Sequence, residues 1–129
     1  DKRVIFTGYL GGKARLAALG AADCFALPAV GEGLPMGVLE AMAAGLPVLL
    51  TPGCNLPEVG ETGAGLIVER ETGPLAEALR RLLTDVDLQV RMGSAAKRLV
   101  AERFTWDTVA GQLEQVYGEL KTVAKEERD

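Results

Sequence analysis

Histidine is absent from the 129 residues, and cysteine occurs only at Cys24 and Cys54. The lack of histidine removes Ser-His-Asp and Cys-His nucleophile chemistry. With no clustered cysteine either, nothing suggests a transition-metal site. Two cysteines, one of them inside an apolar strand-like run, fit reduced thiols in a cytosolic protein and not a disulfide framework. No apolar run is long enough to cross a bilayer, because charge, glycine or proline interrupts each one. The opening Asp1-Lys2-Arg3 runs straight into a strand-like stretch and shows no signal-peptide pattern. Basic residues are not in excess: the net charge is −4, the wrong sign for nonspecific binding of nucleic acid. A single nucleotide stays open, since backbone amides can hold one.

What is present is an ordinary globular balance, 48% hydrophobic and 25% charged, and length for one domain with a real core. "RVIFTGYL" (Arg3 to Leu10) reads as a buried strand closed by Gly8. "GGKARLAALGAAD" places Leu16, Leu19 and Ala22 on one side of a short helix. "CFALPA" from Cys24 to Ala29 is the next strand. A helix from about Pro35 to Ala44 follows, with Pro35 suited to the first turn and Gly45 to the stop. Leu46 to Thr51 is a third strand. One helical turn near Pro57 to Gly60 precedes a fourth strand, Gly65 to Glu69. Three apolar stripes then mark three helices: Leu75, Ala78, Leu79, Leu82 and Leu83; Leu88, Met92, Ala95, Leu99 and Val100; and Trp106, Val109, Ala110, Leu113, Val116, Tyr117 and Leu120. Thr105 suits the cap of the last one. Met36 and Met42 are expected in the core, Trp106 as an anchor against the sheet, and the "KEERD" tail as frayed.

Strands alternating with helices predict an α/β fold, a Rossmann-like parallel sheet covered on both faces. Ligands of such sheets sit beyond the C-terminal strand ends. "GEGLPMGVLEAMAAGLPVLL" (Gly31 to Leu50) falls there. Gly31 and Gly33 let backbone approach a ligand, and the helix start near Pro35 offers free N–H groups suited to phosphate. Glu40 lies about one turn into that helix, and its carboxylate accepts hydrogen bonds as a ribose diol would donate them. Glu32 then faces whatever lies beyond the phosphates. Taken alone, Glu40 reads more readily as a solvated acid near a helix start, and Glu32 reads equally as part of a turn. Together with the glycines and the helix entrance they outline a cradle ordered sugar, diphosphate, ribose, base.

The segments "FTGYL", "AADCFALPAVGEGLPMGVLEAMAAGLPVLLT", "CNLPEVGETGAGLIV" and "RFTW", in this order, resemble the group 1 family of retaining glycosyltransferases. That family has the GT-B architecture, two Rossmann-like domains facing across a cleft, and the resemblance falls in its C-terminal, donor-binding half. It implies that residues 1–104 form the nucleotide-sugar-binding domain. It also implies that the helix in 105–129 leans toward an N-terminal acceptor domain absent from this chain, which leaves an interdomain role open for Trp106. In the family's E-x7-E motif the first acid, here Glu32, lies by the donor sugar, and the second, here Glu40, holds the ribose. Amides after the first acid bind sugar and diphosphate. Here these are Gly33, Leu34, Met36 and Gly37, since Pro35 stands where many members carry glycine and has no N–H. The loop with Tyr9 and Leu10 lies near the base, although an exposed loop aromatic reads equally well for Tyr9. The family's upstream basic pair is missing, and Lys13 and Arg15 are not at its place. The chain is therefore expected to be a fragment, inactive alone, of a cytoplasmic enzyme whose absent domain carries any membrane-facing patch.

The resemblance further implies retention through an oxocarbenium-like transition state, with a nucleotide-sugar substrate and neither metal nor other cofactor. A non-catalytic nucleotide- or sugar-binding module of the same fold is the alternative. A dinucleotide oxidoreductase ranks low, because G-x-G-x-x-G follows none of the strands. A flavodoxin-like signalling domain would need acids at the first strand end, and "FTGYL" has none.

Overall fold

A computed structural model describes residues 3–126. Three short parallel strands, β1 (Phe25–Leu27), β2 (Val48–Leu50) and β3 (Gly65–Ile67), lie in the order β1-β2-β3. Phe25 is in register with Val48, and Val48 with Gly65. The helices are α1 (Gly12–Gly20), α2 (Met36–Ala43), α3 (Glu58–Glu61), α4 (Thr72–Thr84), α5 (Val86–Arg103) and α6 (Trp106–Glu126), with one 3-10 turn at Pro52–Cys54. The remainder of the "KEERD" reading, from residue 127, lies outside the described residues.

The central strand shows how the core is divided. All three of its residues are buried. Val48 and Leu50 join Val38, Met42, Val59, Ala96 and Leu99 on one face, while Leu49 joins Ala78, Leu82, Leu88 and Met92 on the other. A strand apolar on both faces is what a parallel sheet between two helical layers requires. The stripes of α4 and α5 supply those layers, except that Leu83 is exposed.

Helix ends follow local chemistry. After α2, Gly45 takes φ +87°; Leu46 N–H donates to Ala41 O at 3.0 Å and Gly45 N–H to Met42 O at 2.9 Å, a Schellman stop. Gly63 ends α3 the same way, with Ala64 N–H on Val59 O at 2.9 Å. Asp85 caps α5 through Leu88 N–H at 2.9 Å, and Thr105 caps α6 through Thr108 N–H at 3.2 Å.

Four expectations are corrected. Residues 3–10 form no strand; Val4, Ile5 and Phe6 are exposed. The order β1-β2-β3 matches the 4-5-6 half of a doubly wound sheet of order 3-2-1-4-5-6. A strand just before α1 would be number 3 of that order, at the far edge, and the strands it would need beside it are not among the described residues. The sheet consequently has three strands, not four. Met42 is fully buried, but Met36, the first residue of α2, is exposed. Trp106 is 86% exposed and is not an anchor against the sheet; Phe104, two residues earlier, packs against the core. The α6 residues Leu113, Val116, Tyr117 and Leu120 are likewise exposed.

Both cysteines are free thiols; Cys54 is buried and Cys24 partly so. Burial, reinforced by the Asp23 carboxylate, pushes the Cys24 thiol up. The folded chain therefore holds this proton more tightly than the unfolded one. The associated stability is complete below the ordinary thiol range and fades as pH rises through it. Iodoacetamide is expected to alkylate Cys24 several-fold more slowly than free cysteine at about pH 8.5, as mass spectrometry would read.

Candidate functional site

The chain leaves β1 at Leu27 and reaches α2 at Met36 through an exposed loop containing Glu32. Glu32 is exposed, but its backbone is held: its N–H donates to Gly53 O at 2.8 Å. Pro35 is the N-cap of α2 and not its first helical residue, with φ −76° and ψ 95°. Its carbonyl accepts from Val38 N–H at 2.9 Å and Leu39 N–H at 3.3 Å. Among the described residues, no backbone acceptor takes the N–H groups of Gly33, Leu34, Met36 or Gly37. The proline thus organises the entrance. It offers no N–H of its own, its carbonyl engages those of Val38 and Leu39, and four amides between Gly33 and Gly37 keep no backbone acceptor.

Glu40 lies four residues into α2 from Met36, about 6 Å along the axis. It is partly buried, and its Oε1 accepts from the Arg15 guanidinium of α1 at 3.0 Å. Sequence reading missed this partner, because no spacing rule connects residues 25 positions apart on separate helices. Tyr9 is almost fully exposed and Leu10 half-buried, and the loop carrying them runs directly into α1. The structure places Glu32, Gly33 and Leu34 on the loop that leads into α2, Met36 and Gly37 in its first turn, and Glu40 one turn further in. The Tyr9–Leu10 loop is joined to them through α1 and the Arg15–Glu40 pair. Beside the entrance, Leu34, Met36, Leu39, Trp106 and Val109 line a cavity of about 170 Å³.

The Arg15–Glu40 pair contributes little to folding. Both side chains keep substantial exposure, and an exposed ion pair is worth under about 1 kcal/mol. Helix α1 buries no residue of its own. Arg15→Ala is accordingly expected to move the denaturation midpoint by no more than that small amount, as urea unfolding would show.

Residues 1–85 match the family model for "Glycosyl transferases group 1". The chain belongs to the group 1 glycosyltransferases. Among its relatives in this family is the GDP-mannose-dependent alpha-(1-6)-phosphatidylinositol monomannoside mannosyltransferase of Mycobacterium tuberculosis. It is 39% identical over 101 residues, covering 71% of this chain and 26% of that protein. The D-inositol 3-phosphate glycosyltransferase of Corynebacterium efficiens is 35% identical over 124 residues, covering 95% of this chain and 29% of that protein. The sucrose-phosphate synthase of Thermosynechococcus elongatus superposes with a TM-score of 0.81 at 27% identity, over 95% of this chain and 31% of that one. The group 1 chain thus spans roughly a quarter to a third of the length of these proteins, and its fold is that of a Rossmann-like GT-B domain. Among its described residues no helix is long and apolar enough to cross a membrane.

Proposed function

We propose that this chain is the donor-binding part of a retaining glycosyltransferase that moves a sugar from a nucleoside diphosphate sugar to an acceptor hydroxyl. One observation carries the reading: four uncommitted amides at the α2 entrance, bounded by Glu32 and Glu40, in a chain of this family. Donors fixed in place before the reaction are suited to charge that develops on a departing diphosphate. The bond from the anomeric carbon to the diphosphate oxygen breaks, the acceptor oxygen bonds the same carbon on the same face, and the acceptor's hydroxyl proton passes to the departing diphosphate.

In this reading Gly33, Leu34, Met36 and Gly37 face the sugar and diphosphate. Glu32 orients sugar hydroxyls, and Glu40 accepts from the ribose diol. The Tyr9–Leu10 loop lies toward the base. No metal or other cofactor takes part. The acceptor site belongs to a separate N-terminal domain, and the exposed apolar stripe of α6 packs toward it. The chain alone would then transfer no sugar.

GDP-mannose is the first donor to try, since the mycobacterial relative is named for it. Calorimetric titration of the intact protein with GDP-mannose, UDP-glucose and ADP-glucose tests the pocket. Saturable binding of one of them, with transfer to an acceptor, is the expected result. Equal, non-saturable heats from all three would remove the donor-site reading. Saturable binding without transfer under any acceptor would instead assign a non-catalytic binding module.

A further inference from the structure

We propose that the turn after β2 is a clamp that positions Glu32, with Thr51, Gly53 and Cys54 as its positioning residues. The proposal rests on the reading of Glu32 given above. Three hydrogen bonds join this turn to the segment leading from β1. The Thr51 hydroxyl donates to Ala29 O at 2.6 Å, the Cys54 thiol donates to Leu27 O at 3.1 Å, and Glu32 N–H donates to Gly53 O at 2.8 Å. Thr51 and Cys54 are each 1% exposed, so water cannot replace their bonds once broken, and an orphaned carbonyl would bear its full desolvation penalty.

Shape fixes the same approach. A Cβ on Gly53 would stand 2.4 Å from Val30 O and 2.6 Å from Ala29 O, both backbone atoms. Only a residue without a side chain lets the two segments come this close. The turn itself is stiff: Pro52 opens it, and Cys54 N–H donates to Thr51 O at 2.9 Å. It grows directly from the fully buried central strand.

The need for such a clamp is visible around Glu32. Both flanking glycines, Gly31 and Gly33, have open space where a Cβ would be, and Val30 is exposed. A segment so free of side-chain packing loses backbone entropy in holding one conformation and has little packing of its own to offset that loss. The clamp supplies that order before the donor arrives, and carries the rigidity of β2 to the Glu32 carboxylate.

The test uses the intact transferase with the donor selected from GDP-mannose, UDP-glucose and ADP-glucose. Thr51→Val keeps the shape of the side chain and loses the donor. It should lower kcat by about tenfold with donor KM within about twofold, a modest displacement of a group whose placement matters. Hydrogen exchange in the peptide spanning Glu32 should quicken. Thr51→Ser should restore both, and Gly53→Ala should repeat the Thr51→Val result by steric means. In a Glu32→Gln background, Thr51→Val should add little further loss, because both changes act through one carboxylate. Unchanged exchange at Glu32 in Thr51→Val, failure of Thr51→Ser to restore kcat, or full additivity with Glu32→Gln would each overturn the clamp. If Glu32→Gln alone leaves kcat intact while Thr51→Val still quickens exchange, the role assigned to Glu32 falls and the clamp remains as backbone structure.

Discussion

Glu32→Ala in the intact transferase is expected to lower kcat by about 100-fold, near 2.7 kcal/mol of barrier, while donor KM changes by less than about threefold. The reason is placement. Glu32 is exposed in the loop between β1 and α2, but its amide is fixed to Gly53 O, so its carboxylate stands on ordered backbone just before a stretch of free donors. In the proposed reading, a group so placed orients the sugar as the anomeric bond breaks. An interaction realised mainly in the transition state shows in kcat and not in KM. Glu40 is in a different position. It sits inside the helix, partly buried, with one oxygen on Arg15. In the proposed reading, its second oxygen is the one left for a ribose hydroxyl. Glu40→Gln should therefore raise donor KM, by about tenfold for one weakened charge-assisted bond, with kcat changed much less. Steady-state kinetics on the two variants separates the roles. Both variants indistinguishable from the parent would leave the two acids with no function in transfer.

The different settings of these two acids were only partly legible in the sequence. The helix between them was: Pro35 at its entrance and Gly45 at its end are local signals, and Gly45 takes the positive φ its place requires. The three strands of the sheet were also legible, because a buried parallel strand such as β2 is apolar throughout. What escaped was everything decided at a distance. The Arg15–Glu40 pair joins residues on separate helices, and the Thr51 and Cys54 bonds reach back 22 and 27 residues. The apolar run Val4 to Phe6 has strand composition, but a strand exists only beside a partner. Trp106 has the periodicity of a core residue, yet periodicity names a face and not what covers it; Phe104 holds the packed position. For Met36 the same limit applies at the first residue of a helix.

The same chemical change, glycine to alanine, is expected to act with opposite sign at two helical sites. Within a helix interior the added methyl stabilises by about 0.5–1 kcal/mol, because glycine loses more backbone freedom on folding. Gly111 in α6 has open space where a Cβ would stand, so Gly111→Ala should gain roughly this amount. Gly93 in α5 is buried, and a Cβ there would lie 2.2 Å from Gly45 O, the backbone carbonyl just past the Schellman stop of α2. That carbonyl cannot rotate aside without undoing the stop, so α5 and α2 must separate. Overpacking of this kind costs typically 1–3 kcal/mol, more than the propensity gain. Gly65→Ala should be at least as damaging. Its Cβ would lie 2.1 Å from Val48 O, and Val48 stands in register beside it in the central strand. With no helix propensity to offset the clash, a loss of about 3 kcal/mol is expected, a large part of the stability of a domain this size. Urea midpoints would fall for Gly93→Ala and Gly65→Ala and rise for Gly111→Ala. A rise at Gly93 would mean that α2 and α5 have slack between them, and the close approach of their backbones would no longer explain why glycine stands there.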